Sequence, residues 1–169
     1  MIVVVMGVAG SGKSTVGAAL AVALGWRFVD GDSYHSESNR AKMRRGLGLD
    51  EDDRTPWLAA LAAAVEGWLR AGDDVVLACS GLRQSHRQQL GIGSPEVRGV
   101  YLRADPVLLG ARLAARVNHF AGVALLASQL TALEEPTDAE ALRLEAGQPI
   151  AQLVAEILAA LSLQTGEKS

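Results

Sequence analysis

Along this chain, short apolar runs alternate with stretches whose apolar residues recur at helical spacing. Ile2 to Met6 is a continuous, mostly β-branched run, the pattern of a strand buried on both faces of a parallel sheet. Ser14 to Leu24 follows with a helical period and is closed by Gly25. Arg27 to Asp30 reads as a second short strand, Asp74 to Cys79 as a third and Val97 to Leu102 as a fourth. Ala141 to Glu145 is a fifth, only weakly apolar because Arg143 and Glu145 stand inside it. Between these lie further helical patterns. Thr55-Pro56 has the look of an N-cap followed by proline at the first helical position, and Trp57, Leu58, Leu61, Val65, Trp68 and Leu69 then keep helical spacing up to Gly72. Asp105-Pro106 repeats that signal before Leu109, Leu113 and Arg116, and Gln148-Pro149 opens a last helix with Ile150, Leu153, Val154, Ile157, Leu158 and Leu161 inward. Thr165 to Ser169 is a polar tail expected to fray.

Strands alternating with helices predict an α/β fold with a mostly parallel sheet covered on both faces. In such sheets ligands bind beyond the carboxyl ends of the strands. The long polar stretch from Asp32 to Arg54 begins at one of those ends. The length of 169 residues suits one domain. Aromatic residues are only 4%, so the core must be built from Val, Leu, Ile and Ala. Lys+Arg 16 against Asp+Glu 19 leaves a net charge of −3, which argues against a dedicated nucleic-acid-binding module. No apolar run approaches the roughly 20 residues of a membrane span. The start lacks a cationic leader, and the single Cys79 can form neither an internal disulfide nor a zinc cluster. A cytoplasmic protein is expected.

One motif brings specific chemistry. Gly7-Val8-Ala9-Gly10-Ser11-Gly12-Lys13-Ser14 matches G-x-x-x-x-G-K-[ST], with a buried strand before it and an amphipathic helix after it. Gly7, Gly10 and Gly12 permit backbone angles that let successive N–H groups point inward around phosphate oxygens. The helix N-terminus adds partial positive charge. Lys13 is expected to reach the β- and γ-phosphates of a nucleotide and Ser14 to ligate magnesium, with Ser11 and Thr15 completing the nucleotide site. The motif alone gives binding, not a reaction. Guanine-reading N-K-x-D signals are absent, and the third strand ends Cys79-Ser80 with no carboxylate for the metal. Asp30-Gly31-Asp32, at the end of the second strand, can supply it. One of the two aspartates could orient a magnesium-bound water while the other accepts a hydroxyl proton; we read Asp30 as the metal's partner and Asp32 as the base, and the reverse is open at this point.

Beyond the phosphate loop the chain carries further pieces in a set order. Met6 to Ser14 is followed by Asp30-Gly31-Asp32 with His35, then Asn39, Lys42-Met43 and Gly46. Leu49 to Arg54, Pro56-Trp57-Leu58, Ala78 to Leu82, Arg87 and Tyr101-Leu102 come next. Arg112, Arg116, His119-Phe120, Ser128-Gln129 and Leu133 to Pro136 complete the set. In this order and spacing, from Val3 to about Pro149, the residues resemble the gluconate kinases, relatives of shikimate kinases among the small P-loop kinases.

The resemblance implies transfer of the ATP γ-phosphoryl group to the 6-hydroxyl of D-gluconate, with Mg2+, often in a homodimer. It implies a nucleoside-monophosphate-kinase-like P-loop fold: a five-stranded parallel sheet, a substrate-binding subdomain at about 32–70, and a lid at about 112–124, within one domain of residues 1–164. Gluconate is an anionic polyol, so its site needs a cation and several polar groups. Within the resemblance His35, Asn39, Arg54, Arg87 and His119 suit it, with Arg54 and Arg87 near the carboxylate or the transferring phosphate. Arg116 is the expected lid arginine over the phosphoryl group. Arg112 and Pro149 are expected beside the nucleotide, Arg112 either there or in the lid. Lys42 and Arg40 read as a solvated helix face, Cys79 as a small buried residue, and Trp26, Trp57 and Trp68 as packing. The chain departs from the family pattern at Gly48, where proline is frequent, at Ser80-Gly81-Leu82-Arg83 against S-A-L-K, at Asn118, at Ala121-Gly122, and at His86, where tyrosine is usual. A kinase for shikimate or another polyol acid, and a nucleotide-binding module without transfer activity, are the alternatives.

Overall fold

The computed structural model describes residues 1–115 and 119–164. Five parallel strands lie in the order β2-β3-β1-β4-β5: β1 (Ile2–Met6), β2 (Arg27–Asp30), β3 (Val75–Cys79), β4 (Val97–Arg103) and β5 (Ala141–Glu145). Every residue of β1 and β3 is buried, because both strands are flanked by others and covered on both faces. Alternation along β1 divides the core. Ile2, Val4 and Met6 face the layer of Trp57, Leu58, Leu61 and Val65. Val3 and Val5 face Val16, Leu20, Leu24, Leu153 and Ile157. The first layer is carried by α3 (Glu51–Ala71), the second by α1 (Lys13–Leu24) and α7 (Ile150–Ala160). β5 is an edge strand, which is why it tolerates Arg143 and Glu145: their side chains reach solvent and pair with Glu135 and Arg103.

The solvated helix face expected at Arg40 and Lys42 is α2 (Glu37–Arg44), and three elements were not foreseen: a 3₁₀ turn at Gly31–Tyr34, α4 (Gln84–Gln89) and α6 (His119–Ala132). With α5 (Pro106–Ala114) they frame the carboxyl edge of the sheet. The expected cap of α5 is present, with the Asp105 carboxylate accepting from Leu108 N–H at 2.9 Å.

The start of α3 corrects the sequence reading. The helix begins at Glu51, not at Pro56, with Asp50 as its cap. The Asp50 carboxylate accepts from Asp53 N–H at 2.8 Å, and the Asp53 carboxylate accepts from Asp50 N–H at 3.2 Å, a reciprocal capping box. Thr55 donates to the Glu51 carbonyl within the first turn. Pro56 sits in the second turn, and the carbonyl its missing N–H would have met belongs to exposed Asp52, so the loss is cheap. The earlier start brings Arg54 onto the helix.

Among the described residues no helix is long and apolar enough to cross a membrane. The expected tail at 165–169 and the centre of the expected lid at 116–118 lie outside the described residues.

Replacing Asp50 by Ala should destabilise the fold by about 1 kcal/mol, read as a lower urea midpoint with unchanged slope. An unchanged midpoint would remove the capping box from the set of interactions that hold α3.

Candidate active site

All strands run parallel, so the ends of β1, β2 and β3 meet at one edge. Met6 is level with Cys79, and Asp30 with Ala78. The glycine-rich loop therefore emerges beside the Asp30-Gly31-Asp32 turn and Ser80. Gly10 and Gly12 take φ of 83° and 95°, angles open to glycine at little cost, and Gly12 is the N-cap of α1. The cap has no side chain, which leaves the first N–H groups of α1 directed at the cleft.

The cleft holds about 260 Å³ and is walled by Gly10, Gly12, Lys13, Ser14 and Thr15 on one side and by Asp32, His35, Met43, Leu49, Arg54 and Trp57 on the other. Ser80, Leu82, Leu125, Ser128 and Gln129 close its remaining faces. Lys13, Ser14, Thr15, Asp32, His35 and Arg54, singled out from sequence, thus share one cavity. Gly7 belongs to the same loop, and Ser11 lies buried in it with an unpartnered hydroxyl.

Two oxygen ligands meet at the loop: the Ser14 hydroxyl donates to Asp30 Oδ2 at 3.2 Å. The other Asp30 oxygen accepts from Asp32 N–H at 3.0 Å, which turns the Asp32 side chain away from Asp30. A hydroxyl and a carboxylate suit a hard divalent cation that keeps most of its ligands as water and phosphate oxygens. Among the described residues no group of three or more His, Cys, Asp or Glu could cage a metal, and such a cation needs none.

A polar chain orients His35 towards Asp32. Asn39 Nδ2 donates to the Asp53 carbonyl at 2.7 Å and faces His35 Nδ1 at 3.4 Å. A donor on that side makes Nδ1 the acceptor, so the ring proton is on Nε2, 3.8 Å from Asp32 Oδ1. The ring is stacked on Trp57 with centroids 4.4 Å apart. Trp57 is held in turn by its indole N–H, which donates to the Gly31 carbonyl at 2.9 Å. Burial pushes the His35 pKa down, more than nearby Asp32 raises it, while Arg40 and Arg54 lower it further. His35 is therefore neutral, and its approach to Asp32 is a polar contact, not an ion pair. Trp57, read from sequence as packing, does that and also forms a wall of the cleft. Asn39 is 4% exposed and stands behind His35, not in the cavity. It orients a wall residue where the sequence reading had it touching substrate.

Arg54 and Arg87 were expected in the same role, and the structure separates them. Arg54 reaches the cleft with one nitrogen, NH1, bonded to Glu51 Oε1 at 2.9 Å. Glu51 also meets Arg83 Nε at 3.0 Å and His86 Nε2 at 3.2 Å. Burial would raise the Glu51 carboxyl, but the His86 and Arg54 hydrogen bonds outweigh it and hold the group ionised. Arg87 is 1% exposed and does not line the cleft. Its Nε and NH2 donate to the two Glu140 oxygens, and its NH1 donates to the Gly81 and Glu134 carbonyls at 2.9 and 2.8 Å. With every nitrogen bonded, Arg87 ties α4 to the segment that enters β5. In this arrangement it is a staple of the frame outside the cleft, where the sequence reading had it near the carboxylate or the transferring phosphate.

Arg112 donates to the Gly10 and Ser11 carbonyls at 3.1 Å each and to the Ala146 carbonyl at 2.8 Å, so it joins the back of the phosphate loop to the turn before Pro149, the N-cap of α7. Lys42, read as solvated, bonds both Asp53 oxygens at 2.7 Å. Cys79 is buried, and desolvation pushes its thiol up to about 12, so it is inert. Arg116 and the side chain of His119 lie outside the described residues. Sequence reasoning gave no role to Glu51 or Gln129, which it quoted only within the Leu49 to Arg54 and Ser128-Gln129 matches; the i,i+3 spacing of Glu51 to Arg54 is a further signal.

The sheet order, the phosphate loop and the acid-and-base-lined cleft define a P-loop kinase. A family model described as AAA domain matches residues 2–136. The gluconokinase of Gluconobacter oxydans (strain 621H) is 40% identical over 155 residues, covering 92% of this chain and 87% of its own. The crystal structure of a gluconokinase from Sinorhizobium meliloti 1021 superposes with a TM-score of 0.82 at 40% identity, over 95% of this chain and 90% of that one. This chain belongs to the gluconokinase family of ATP-dependent P-loop kinases. Shikimate kinase from Aquifex aeolicus, at 18% identity and a TM-score of 0.61 over 96% of both chains, shares the fold.

The folded chain keeps His35 and His86 neutral, burial being the main cause at each. The unfolded chain protonates both near 6.5, so it binds more protons below that value and stability must fall there. Urea midpoints should be lower at about pH 5.5 than at about pH 7.5, with a smaller gap in His86→Asn. Equal midpoints would mean that both rings protonate freely in the fold. Arg87→Ala should cost roughly 3–5 kcal/mol by removing the donors of Glu140 Oε1 and of the Gly81 and Glu134 carbonyls, whereas Arg54→Ala should leave the melting temperature within a few degrees.

Proposed function

We propose that this chain transfers the γ-phosphoryl group of ATP to the 6-hydroxyl of D-gluconate, giving 6-phosphogluconate and ADP. The observation that carries the reading is the meeting in one cleft of a phosphate loop with its lysine, an exposed aspartate and a buried arginine of which, among the described residues, one nitrogen alone is hydrogen-bonded. The relatives at about 40% identity bear the gluconokinase name.

In this reading the N–H groups of Gly10 and Gly12 and the Lys13 side chain hold the phosphates, with Thr15 beside them. Arg112 and Pro149 border the adenosine end. Ser14 and Asp30 would hold Mg2+, which would supply charge neutralisation for the phosphates. Asp32, whose side chain is 55% exposed and open to the cleft, accepts the proton of the 6-hydroxyl. The acceptor oxygen then bonds to the γ-phosphorus as the bond to the bridging oxygen breaks, and ADP leaves. Neutral His35 donates from Nε2 towards Asp32 or a substrate hydroxyl. Arg54, held by Glu51, meets the gluconate carboxylate. Arg116 and His119 close over the reactants as parts of the lid, excluding water that would otherwise hydrolyse ATP. The reading includes a cytoplasmic location and a homodimer.

Purified protein with ATP and Mg2+ should release ADP with gluconate and not with shikimate or nucleoside monophosphates. Turnover of one of those in its place would sink the assignment, and ATP binding with no acceptor turned over would make the chain a binding module. Asp32→Asn should lower kcat at least about 100-fold with ATP affinity nearly intact. Arg54→Lys should raise the gluconate KM about tenfold or more while sparing the ATP KM, since lysine cannot reproduce the planar fork.

A further inference from the structure

The wall of the cleft opposite the 3₁₀ turn is one face of α6. Leu125, Ser128 and Gln129 line the cavity, at the i, i+3 and i+4 spacing of a single helical face. Gln129 reaches across to the phosphate loop, where its Oε1 accepts the Ala9 N–H at 2.6 Å. Ala9 offers a donor there, so the atom facing it must be the carbonyl oxygen, and the orientation of the amide is settled by its partner. The NH2 group is turned the other way. Among the described residues it has no partner, and it is not among the buried unpartnered atoms, so it is open to the cleft.

Ser128 fixes the helix at a second point. A Cβ built on Gly48 would collide with the Ser128 hydroxyl and lie 2.8 Å from its Cβ, so α6 rests directly on the backbone of the loop that leads into Arg54. α6 thus touches the loop that holds phosphate through Gln129 and the loop of the opposite wall through Ser128.

The geometry points to Gln129 as an acceptor-positioning residue: clamped at Oε1 by the phosphate loop, its carboxamide donates from Nε2 to the oxygen atoms that meet at phosphoryl transfer, those of the polyol hydroxyls and the incoming γ-phosphoryl group. The inference rests on the kinase reading above. A donor with two fixed protons at that place orients the hydroxyl for attack, and it registers α6 against the loaded phosphate loop because its own carbonyl is bonded there.

The test is steady-state kinetics with direct ATP binding on Gln129→Leu and Gln129→Glu, each checked for an unchanged melting temperature. Glutamate keeps the oxygen that meets Ala9 N–H and loses the NH2. Leucine loses both. Both variants should lose roughly 10- to 100-fold in kcat/KM for gluconate, while the ATP dissociation constant measured without acceptor moves less than about threefold in the leucine variant. A kcat/KM for gluconate within twofold of the unaltered chain would overturn the role. So would a leucine variant in which ATP affinity falls as far as kcat/KM, since Gln129 would then only brace the loop. The unaltered protein, run alongside, separates this from the functional reading: if it uses shikimate and ignores gluconate, the substrate assignment fails, and the same comparison on shikimate decides the role of Gln129.

Discussion

The site depends on the parallel register of the three strands that end at the phosphate loop. Met6 and Cys79 stand side by side, and Asp30 is one place behind at Ala78. Parallel strands deliver their carboxyl ends to the same edge. Three loops from distant parts of the chain, those after Met6, Asp30 and Cys79, therefore form one surface. Gly31 is pressed into that edge: a Cβ there would lie 2.8 Å from the Ala78 carbonyl. The backbone turns hard against β3 and sends Asp32 out over the cleft while Asp30 stays behind with Ser14.

Charge is managed by tethering. The net charge of −3 describes none of the local arrangement. A buried guanidinium is tolerable only with partners, and the number of partners decides what it can do. Among the described residues Arg54 bonds with one nitrogen, to Glu51, and it lines the cleft. Arg87 spends all of them on Glu140 and backbone carbonyls and becomes part of the frame. His35 and His86 follow the opposite course. Burial holds them neutral, which lets His35 donate from a defined nitrogen and lets Glu51 bond His86 while still holding Arg54.

The strands were legible because a run such as Ile2 to Met6 is apolar on both faces, and only a covered parallel sheet accommodates that. The caps were legible where a side chain acts within three residues, as at Asp105. The start of α3 was misread for a related reason: Thr55-Pro56 carries a strong local signal, but the Asp50–Asp53 box wins, since Pro56 can be absorbed where the orphaned carbonyl faces water. The helices α4 and α6 escaped notice: α4 is short and polar, and α6 rests on α5 through Leu126, a contact that forms only in the fold. Asn39 was read as a substrate-binding residue, but it stands behind His35, and its partner, the Asp53 carbonyl, is a backbone atom that no side-chain pattern reveals.

By itself the sequence determined the phosphate loop, the alternation of strands and helices, and the acidic turn at Asp30-Gly31-Asp32. These rest on short-range geometry: a glycine angle, a period of two or 3.6, a cap. Only the tertiary structure decided which arginine faces the cleft, which tautomer His35 adopts, and that Gln129 bonds a loop 120 residues away. Those outcomes are set by where the last hydrogen-bond partner of a half-buried group lies, and that partner is brought near by the packing of the sheet and its helices.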